Sequence, residues 1–236
     1  MVNAGRQVLN EVMVNGLHLL ENLRIKLDPE HVAKTIDPRS RGPGFENLQP
    51  FIDQVLEQSQ PRALYAPREI EARGDDFLQV REVRIASRVL ARHAVPGLPV
   101  FLFVATLGAR IEAAIHGGRD VLEQYCLETV ANLALDEAVR QLHLHLSREY
   151  HLPRLYCLSP GTLSDWPIEE QRKLFALLGR VEEALGVRLT EHLLMIPRMS
   201  LSGVFFPSNL DFSECRLCQM RTKCQLSKNA AALPES

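Results

Sequence analysis

Apolar residues recur at helical spacing over residues 5–26, with Val8, Val12, Leu17, Leu20 and Leu23 roughly in step. Side chains three or four apart return to one helix face, so the spacing predicts one helix, broken near Gly16. Residues 37–43 mix Pro, Gly and Arg and read as a loop. A short helix over 51–58 ends before Pro61. Val80, Val83 and Ile85 suggest a strand, and Val100–Thr106 is a continuous apolar run of strand length.

Gly108 ends that run, and a helix follows with Ile111, Ala114 and Ile115 on one face. A long helix is predicted over 120–150. Leu122, Cys126, Val130 and Leu133 open its apolar stripe, which Leu135, Ala138, Val139, Leu142 and Leu146 continue; Pro153 stops it. Residues 154–158 read as a short strand, 159–165 as a loop, and 167–178 as a helix. Asp165 suits the N-cap of that helix, and Glu169 and Glu170 suit its first turn. Strands over 187–190, 193–196 and 200–206 precede a polar tail. Strands that do not alternate regularly with crossover helices predict an α+β fold with a mostly antiparallel sheet and flanking helices.

Composition adds bounds. The chain has 236 residues, 46% of them hydrophobic and 24% charged, as in ordinary globular proteins. A formal charge of −2 and scattered arginines give no footprint for nucleic acid. The longest apolar stretch, residues 95–108, is broken by Pro96, Gly97 and Pro99 and falls short of the roughly 20 residues that span a bilayer. The opening residues lack a basic segment followed by an apolar run, and five cysteines in such a chain predict a reducing, cytoplasmic setting.

The chemistry concentrates in sulfur. Cys215, Cys218 and Cys224 form C-x2-C-x5-C, and a C-x2-C turn lets two thiolates point at one soft cation or cluster. Closed zinc sites and [4Fe–4S] clusters take about four protein ligands. The fourth would come from Cys126, Cys157, another side chain or an external molecule. Reactive thiols or a disulfide are the competing reading. Arg216, Arg221, Lys223 and Lys228 surround the thiols and favour thiolates.

Other motifs are weaker. The strand before Gly108 has one glycine where a dinucleotide fingerprint needs three, so it reads as a packing unit whose following helix could receive an anion. His143 and His145 would chelate from a strand, but on a helix two positions turn through roughly 200° and solvated surface is expected. Cys126 on the apolar stripe reads as a small buried hydrophobe. The loop at 159–167 joins a strand end to a helix start. Pro160 and Gly161 can hold its backbone open, and Trp166 can offer a flat face to a base or a corrin edge.

Several segments occur together and in order. They are Ala105-Thr106-Leu107-Gly108, Ser159-Pro160-Gly161, the run from Asp165-Trp166-Pro167 to Gln171, Leu189-Thr190-Glu191, Met195-Ile196-Pro197-Arg198-Met199-Ser200, Ser202-Gly203 and the cysteine cluster. In this combination the chain resembles stand-alone proteins from anaerobes that are similar to the activation domain of vitamin B12-dependent methionine synthase. The resemblance spans about residues 60–225. It implies an activation-domain-like α+β core over 60–210, an N-terminal helical segment over 1–60 packed on it, and a Cys-rich tail over 211–236.

The resemblance further implies docking on a corrinoid protein or methyltransferase that carries cobalamin. It implies S-adenosylmethionine as methyl donor, and an electron donor protein for reductive reactivation in one-carbon metabolism. Ser159, Pro160, Gly161, Thr162 and Trp166 would shape the ligand loop, Arg198 would face an anionic part of the ligand, and Glu137 would contact a cofactor amine. Cys215, Cys218 and Cys224 would hold an iron–sulfur cluster, with Cys157 as a candidate fourth thiolate.

The chain departs from the family where an arginine four residues before the glycine and a tyrosine after it are expected. Cys157 and Thr162 stand there, with one extra residue before Asp165. A guanidinium pairs bidentately with a carboxylate and a thiol does not; losing such a pair costs about 1.5–3 kcal/mol. Two other readings therefore stay open: a non-catalytic docking or electron-transfer module that has lost S-adenosylmethionine, and a zinc-stapled structural protein.

Overall fold

The computed structural model describes residues 10–14, 16–37 and 48–208. In chain order the elements are β1 (Asn10–Val14), β2 (Leu17–Glu21), α1 (Pro29–Ile36), α2 (Gln49–Gln58), β3 (Arg62–Arg68), β4 (Ala72–Arg73), β5 (Phe77–Val80) and β6 (Val83–Ala86). There follow α3 (Arg88–His93), β7 (Val100–Thr106), α4 (Arg110–His116), α5 (Val121–Glu149) and β8 (Leu155–Leu158). A 3-10 turn (Ile168–Glu170) leads into α6 (Gln171–Leu178), α7 (Val181–Leu185), β9 (Arg188–Leu189), β10 (Met195–Ile196) and β11 (Ser200–Pro207). Six strands follow the order β1-β2-β3-β7-β11-β8, with β4-β5-β6 and β9-β10 forming two small antiparallel sheets. The class is α+β, with flanking helices and antiparallel pairing at β1/β2, β2/β3 and β8/β11.

The chain divides into two compact units. One gathers the described residues up to Ala66 with Val104–Leu146 and Arg180–Leu201. The other gathers Pro67–Phe103, Ser147–Gly179 and the described residues from Ser202 onward.

In the first unit, the described part of the helix expected over 5–26 holds instead the β1–β2 hairpin, with Val12 opposite Leu19 and Met13 opposite His18; residues 5–9 lie outside the described residues. Gly16, at φ 75°, supplies the left-handed turn residue that a tight hairpin needs. The hairpin is fixed by a polar cluster. Tyr65 Oη donates to Glu11 Oε1 at 2.8 Å, His18 Nδ1 lies 2.7 Å from the same oxygen, and His145 Nε2 lies 3.3 Å from the tyrosine oxygen. The ring of His18 stacks on Tyr65, itself fully buried. His145 is therefore not solvated helix surface as expected, because the hairpin lies against its face of α5.

The long helix follows its expected stripe, with Cys126, Val130, Ala138, Leu142 and Leu146 fully buried. Burial pushes the Cys126 thiol pKa up, as suits a core residue. Leu122, placed on the stripe, is exposed at the helix start. A buried hydroxyl network joins two of the quoted motifs. Ser200 Oγ donates to Thr106 Oγ1 at 2.9 Å, Thr106 Oγ1 donates to Met199 O, and Gly108 N donates to Thr106 Oγ1. Those residues thus hold the backbone together, and the amide of Gly108 is already used.

In the second unit, β8 and β11 pair with Leu158 opposite Val204 and Cys157 opposite Phe205. Phe103 stacks on Phe205 at 4.7 Å, and Phe101 meets Tyr150 edge-on. The single strand suggested near Val80 is a hairpin, β5–β6, reversing through Arg81 and Glu82. Among the described residues no helix is long and apolar enough to cross a membrane.

Candidate functional site

The loop between β8 and the 3-10 turn is closed on itself. Gly161 N donates to Trp166 O at 2.7 Å, Trp166 N to Leu163 O at 3.0 Å, and Thr162 N to Ser159 O at 3.2 Å. Thr162 Oγ1 also donates to Ser159 O. Gly161 sits at φ 86°, a conformation that strains any residue with a Cβ. Three of the loop's amides are thus spent internally, which rigidifies it. Gly161, Thr162 and Ser164 face outward, while Pro160 and Leu163 are buried.

Two expectations for this loop are corrected. Trp166 is fully buried, so its ring is core packing and presents no open face to a base or corrin. Its Nε1 has no partner among the described residues, and neither has the buried Oε1 of Gln171, whose Nε2 donates to Ser202 Oγ at 2.9 Å. Asp165 does not cap the helix that follows it. That segment begins with the 3-10 turn, preceded by Pro167 without a side-chain cap.

Asp165 instead reaches a distant helix. Its carboxylate accepts from Ser87 Oγ at 3.0 Å, from Val89 N at 2.9 Å and from Arg88 Nε at 2.8 Å. Ser87 is the N-cap of α3 and accepts from Leu90 N. A loop carboxylate therefore completes the cap of a helix far away in sequence, joining α3 to the loop after β8.

Along this junction runs a cavity of about 250 Å³ between Leu163, Ser164 and Asp165 on one side and Arg88, Arg92 and His93 on the other. Burial, with the neighbouring Arg92 charge second, pushes the His93 pKa down. Two guanidinium groups thus border the loop, although neither sits at the position where the family's arginine is expected. Sequence reasoning missed both, since only tertiary contact brings Ser87-Arg88-Val89 to the loop.

Cys157 is half-buried on β8, four residues before Gly161. Cys215, Cys218 and Cys224 lie outside the described residues. Among the described residues no group of three or more His, Cys, Asp and Glu side chains could hold a metal ion.

Glu137 and Arg198 belong to the first unit, and both are engaged. Arg140 donates to Glu137 through Nε at 2.6 Å and Nη2 at 2.7 Å, and Gln141 Nε2 adds a bond at 2.8 Å. Burial raises the Glu137 pKa, but the bonds from Arg140 and Gln141 outweigh it and hold the carboxyl below its ordinary range. Arg198 Nη2 pairs with Glu128 Oε1 at 2.7 Å, and its backbone N donates to Glu112 Oε1. Each would need to release a partner before contacting a ligand.

No family model matches the chain, and no curated protein matches it. Among solved structures the chain is similar to the crystal structure of the MetH reactivation domain bound to AdoHcy. The TM-score is 0.54 at 16% identity, over 84% of this chain and 80% of that one. At this identity the likeness speaks for architecture: the chain has the α+β fold of the MetH reactivation domain, with a mostly antiparallel sheet and flanking helices.

Proposed function

We propose that the chain supports reductive reactivation of a corrinoid-dependent methyltransferase and binds an S-adenosyl ligand at the 159–166 loop. The observation that supports this reading is the likeness over 84% of the chain to a domain solved with AdoHcy. The cavity beside the loop adds a chemical reason. Gly161, Thr162 and Ser164 would border the ligand, and Arg92 would take the carboxylate that no guanidinium at position 157 can take. S-adenosylmethionine, when bound, would supply a methyl group to the partner's corrinoid.

Calorimetric titration of the full chain with AdoHcy is expected to saturate with a Kd on the order of 100 µM, weakened by the displaced cation. In Arg92→Gln the affinity should fall about fivefold. Absence of saturable binding at 10-fold higher ligand would remove the S-adenosyl reading. It would favour a docking or electron-transfer module, a second reading supported by the loop amides that are spent internally.

In the same proposal Cys215, Cys218 and Cys224 would hold an iron–sulfur cluster, with Cys157 as the fourth thiolate, and the cluster would supply low-potential electron transfer from an electron donor protein. Cys157 stands next to the ligand loop and is half-buried, as an inner ligand would be. Anaerobically prepared wild type should contain iron and acid-labile sulfide in equal amounts, and Cys157→Ser should lose most of both. Undiminished content in the variant removes Cys157 from the ligand set, and stoichiometric zinc without iron makes the tail a structural staple.

A further inference from the structure

The geometry points to a second binding site, for a small phosphate- or carboxylate-bearing anion, at Arg68 in a cleft of the second unit. The cleft has a volume of about 490 Å³ and is lined by Pro67, Arg68, Glu69, Ile70, Leu98 and Pro99. Its walls are stiff. Two prolines face it, and Gly97 at φ 80° turns the chain into Leu98, where Leu98 N donates to Val95 O at 3.3 Å.

Arg68 ends β3 half-buried, with Nη1 donating to Pro67 O at 2.9 Å. Its Nε is buried without a partner among the described residues, and no carboxylate there lies within ion-pair reach of the guanidinium. The acid of the lining, Glu69, is exposed and forms no pair with it. Burial first, and the charge of a second cation, Arg81, second, push the Arg68 pKa down. A half-buried guanidinium beside a like charge is an unfavourable arrangement unless an anion completes it.

The chemistry of the ligand follows from which nitrogens remain. With Nη1 taken by the backbone, the two parallel N–H donors of the Nε–Nη2 edge are left unbonded, and a turn of the side chain that frees the buried Nε would match them to two oxygens of a carboxylate or phosphate. The apolar flank of Ile70, Leu98 and the prolines suits a short carbon skeleton attached to that group. This site is separate from the 159–166 loop and does not depend on the function proposed for it.

The test uses the full chain, labelled with nitrogen-15, titrated at pH 7 with inorganic phosphate and separately with malonate. Sodium chloride of equal ionic strength serves as reference. One of the two anions should move the Gly97 and Leu98 amide signals and one arginine Nε signal saturably, with a Kd on the order of 1 mM or tighter. Saturation by phosphate assigns the phosphate class, and saturation by malonate the carboxylate class. Arg68→Lys should weaken the affinity about tenfold, and Arg68→Gln should abolish it while the circular dichroism spectrum stays native. Wild-type shifts that match those in chloride would overturn the site. So would unchanged binding in either variant, and the wild-type and Arg68→Lys arms stand even if Arg68→Gln fails to fold.

Discussion

Replacing Gly203 by Ala is expected to lower the unfolding free energy by about 3 kcal/mol or more, a large share of a typical domain's stability. A Cβ at this position would stand 2.7 Å from Leu158 O, 2.8 Å from Phe103 Cε1 and 2.9 Å from Ser159 Oγ. The serine hydroxyl can rotate away. Phe103 cannot, because it is fully buried and stacked on Phe205. Leu158 O is backbone of β8, so relief requires shifting the strand that leads into the 159–166 loop. Urea unfolding followed by the emission of Trp166, the chain's one tryptophan, reads this unit directly. A midpoint equivalent to wild type within about 0.5 kcal/mol would show that β8 and β11 have slack the packing does not suggest.

This close approach gives a physical reason for Ser202-Gly203. Ser202 accepts from buried Gln171, and Gly203 lets β8 come near; neither needs to touch a ligand. The same holds for Ala105-Thr106-Leu107-Gly108 with Met199-Ser200, whose hydroxyls tie backbone segments together. Several segments quoted for the resemblance are thus explained by fold rather than by binding. That agrees with a structural likeness at 16% identity.

What was legible in the sequence was local and strongly patterned. The run Val100–Ala105 is apolar at every position, and the strand Val100–Thr106 that contains it is buried at every position. The helix before Pro153 is long enough for its stripe to outweigh its polar residues. The β1–β2 hairpin was not legible from apolar spacing, because Val8, Val12, Leu17 and Leu20 also fit a helix face over so short a span. The turn chemistry of Asn15-Gly16 was the better discriminator.

The candidate site was legible as a loop and illegible as a cavity. Residues 159–166 are irregular, as their Pro, Gly and Ser content predicts. The cations beside them lie more than 70 residues upstream and carry no local signature of that proximity. Trp166 could not be placed either, since an aromatic ring serves core packing and ligand stacking equally well until its neighbours are known. Glu137 and Arg198 looked available because a lone charge says nothing of its partner, and both have one.

Asp165 is the residue whose loss should test the junction between α3 and the loop. Asp165→Ala leaves Val89 N and the buried hydroxyl of Ser87 without their shared acceptor, and should cost about 2–3 kcal/mol. Arg88 is solvent-exposed, so its ion pair is left out of that figure. The pH dependence gives a sharper signature. Burial raises the Asp165 pKa, but the bonds from Arg88, the Val89 amide and Ser87 outweigh it, so the carboxyl is held below its ordinary range. A depressed carboxyl stabilises the fold fully above the unfolded-state value near about 3.9, and that contribution fades as pH falls through the lower folded-state value. The stability difference between wild type and Asp165→Asn should therefore be constant from about pH 7 to 5 and shrink below about 4. Urea midpoints at four pH values check the sign. A difference that widens on acidification, or none at neutral pH, would mean that this carboxylate is not what holds α3 and its arginines against the loop.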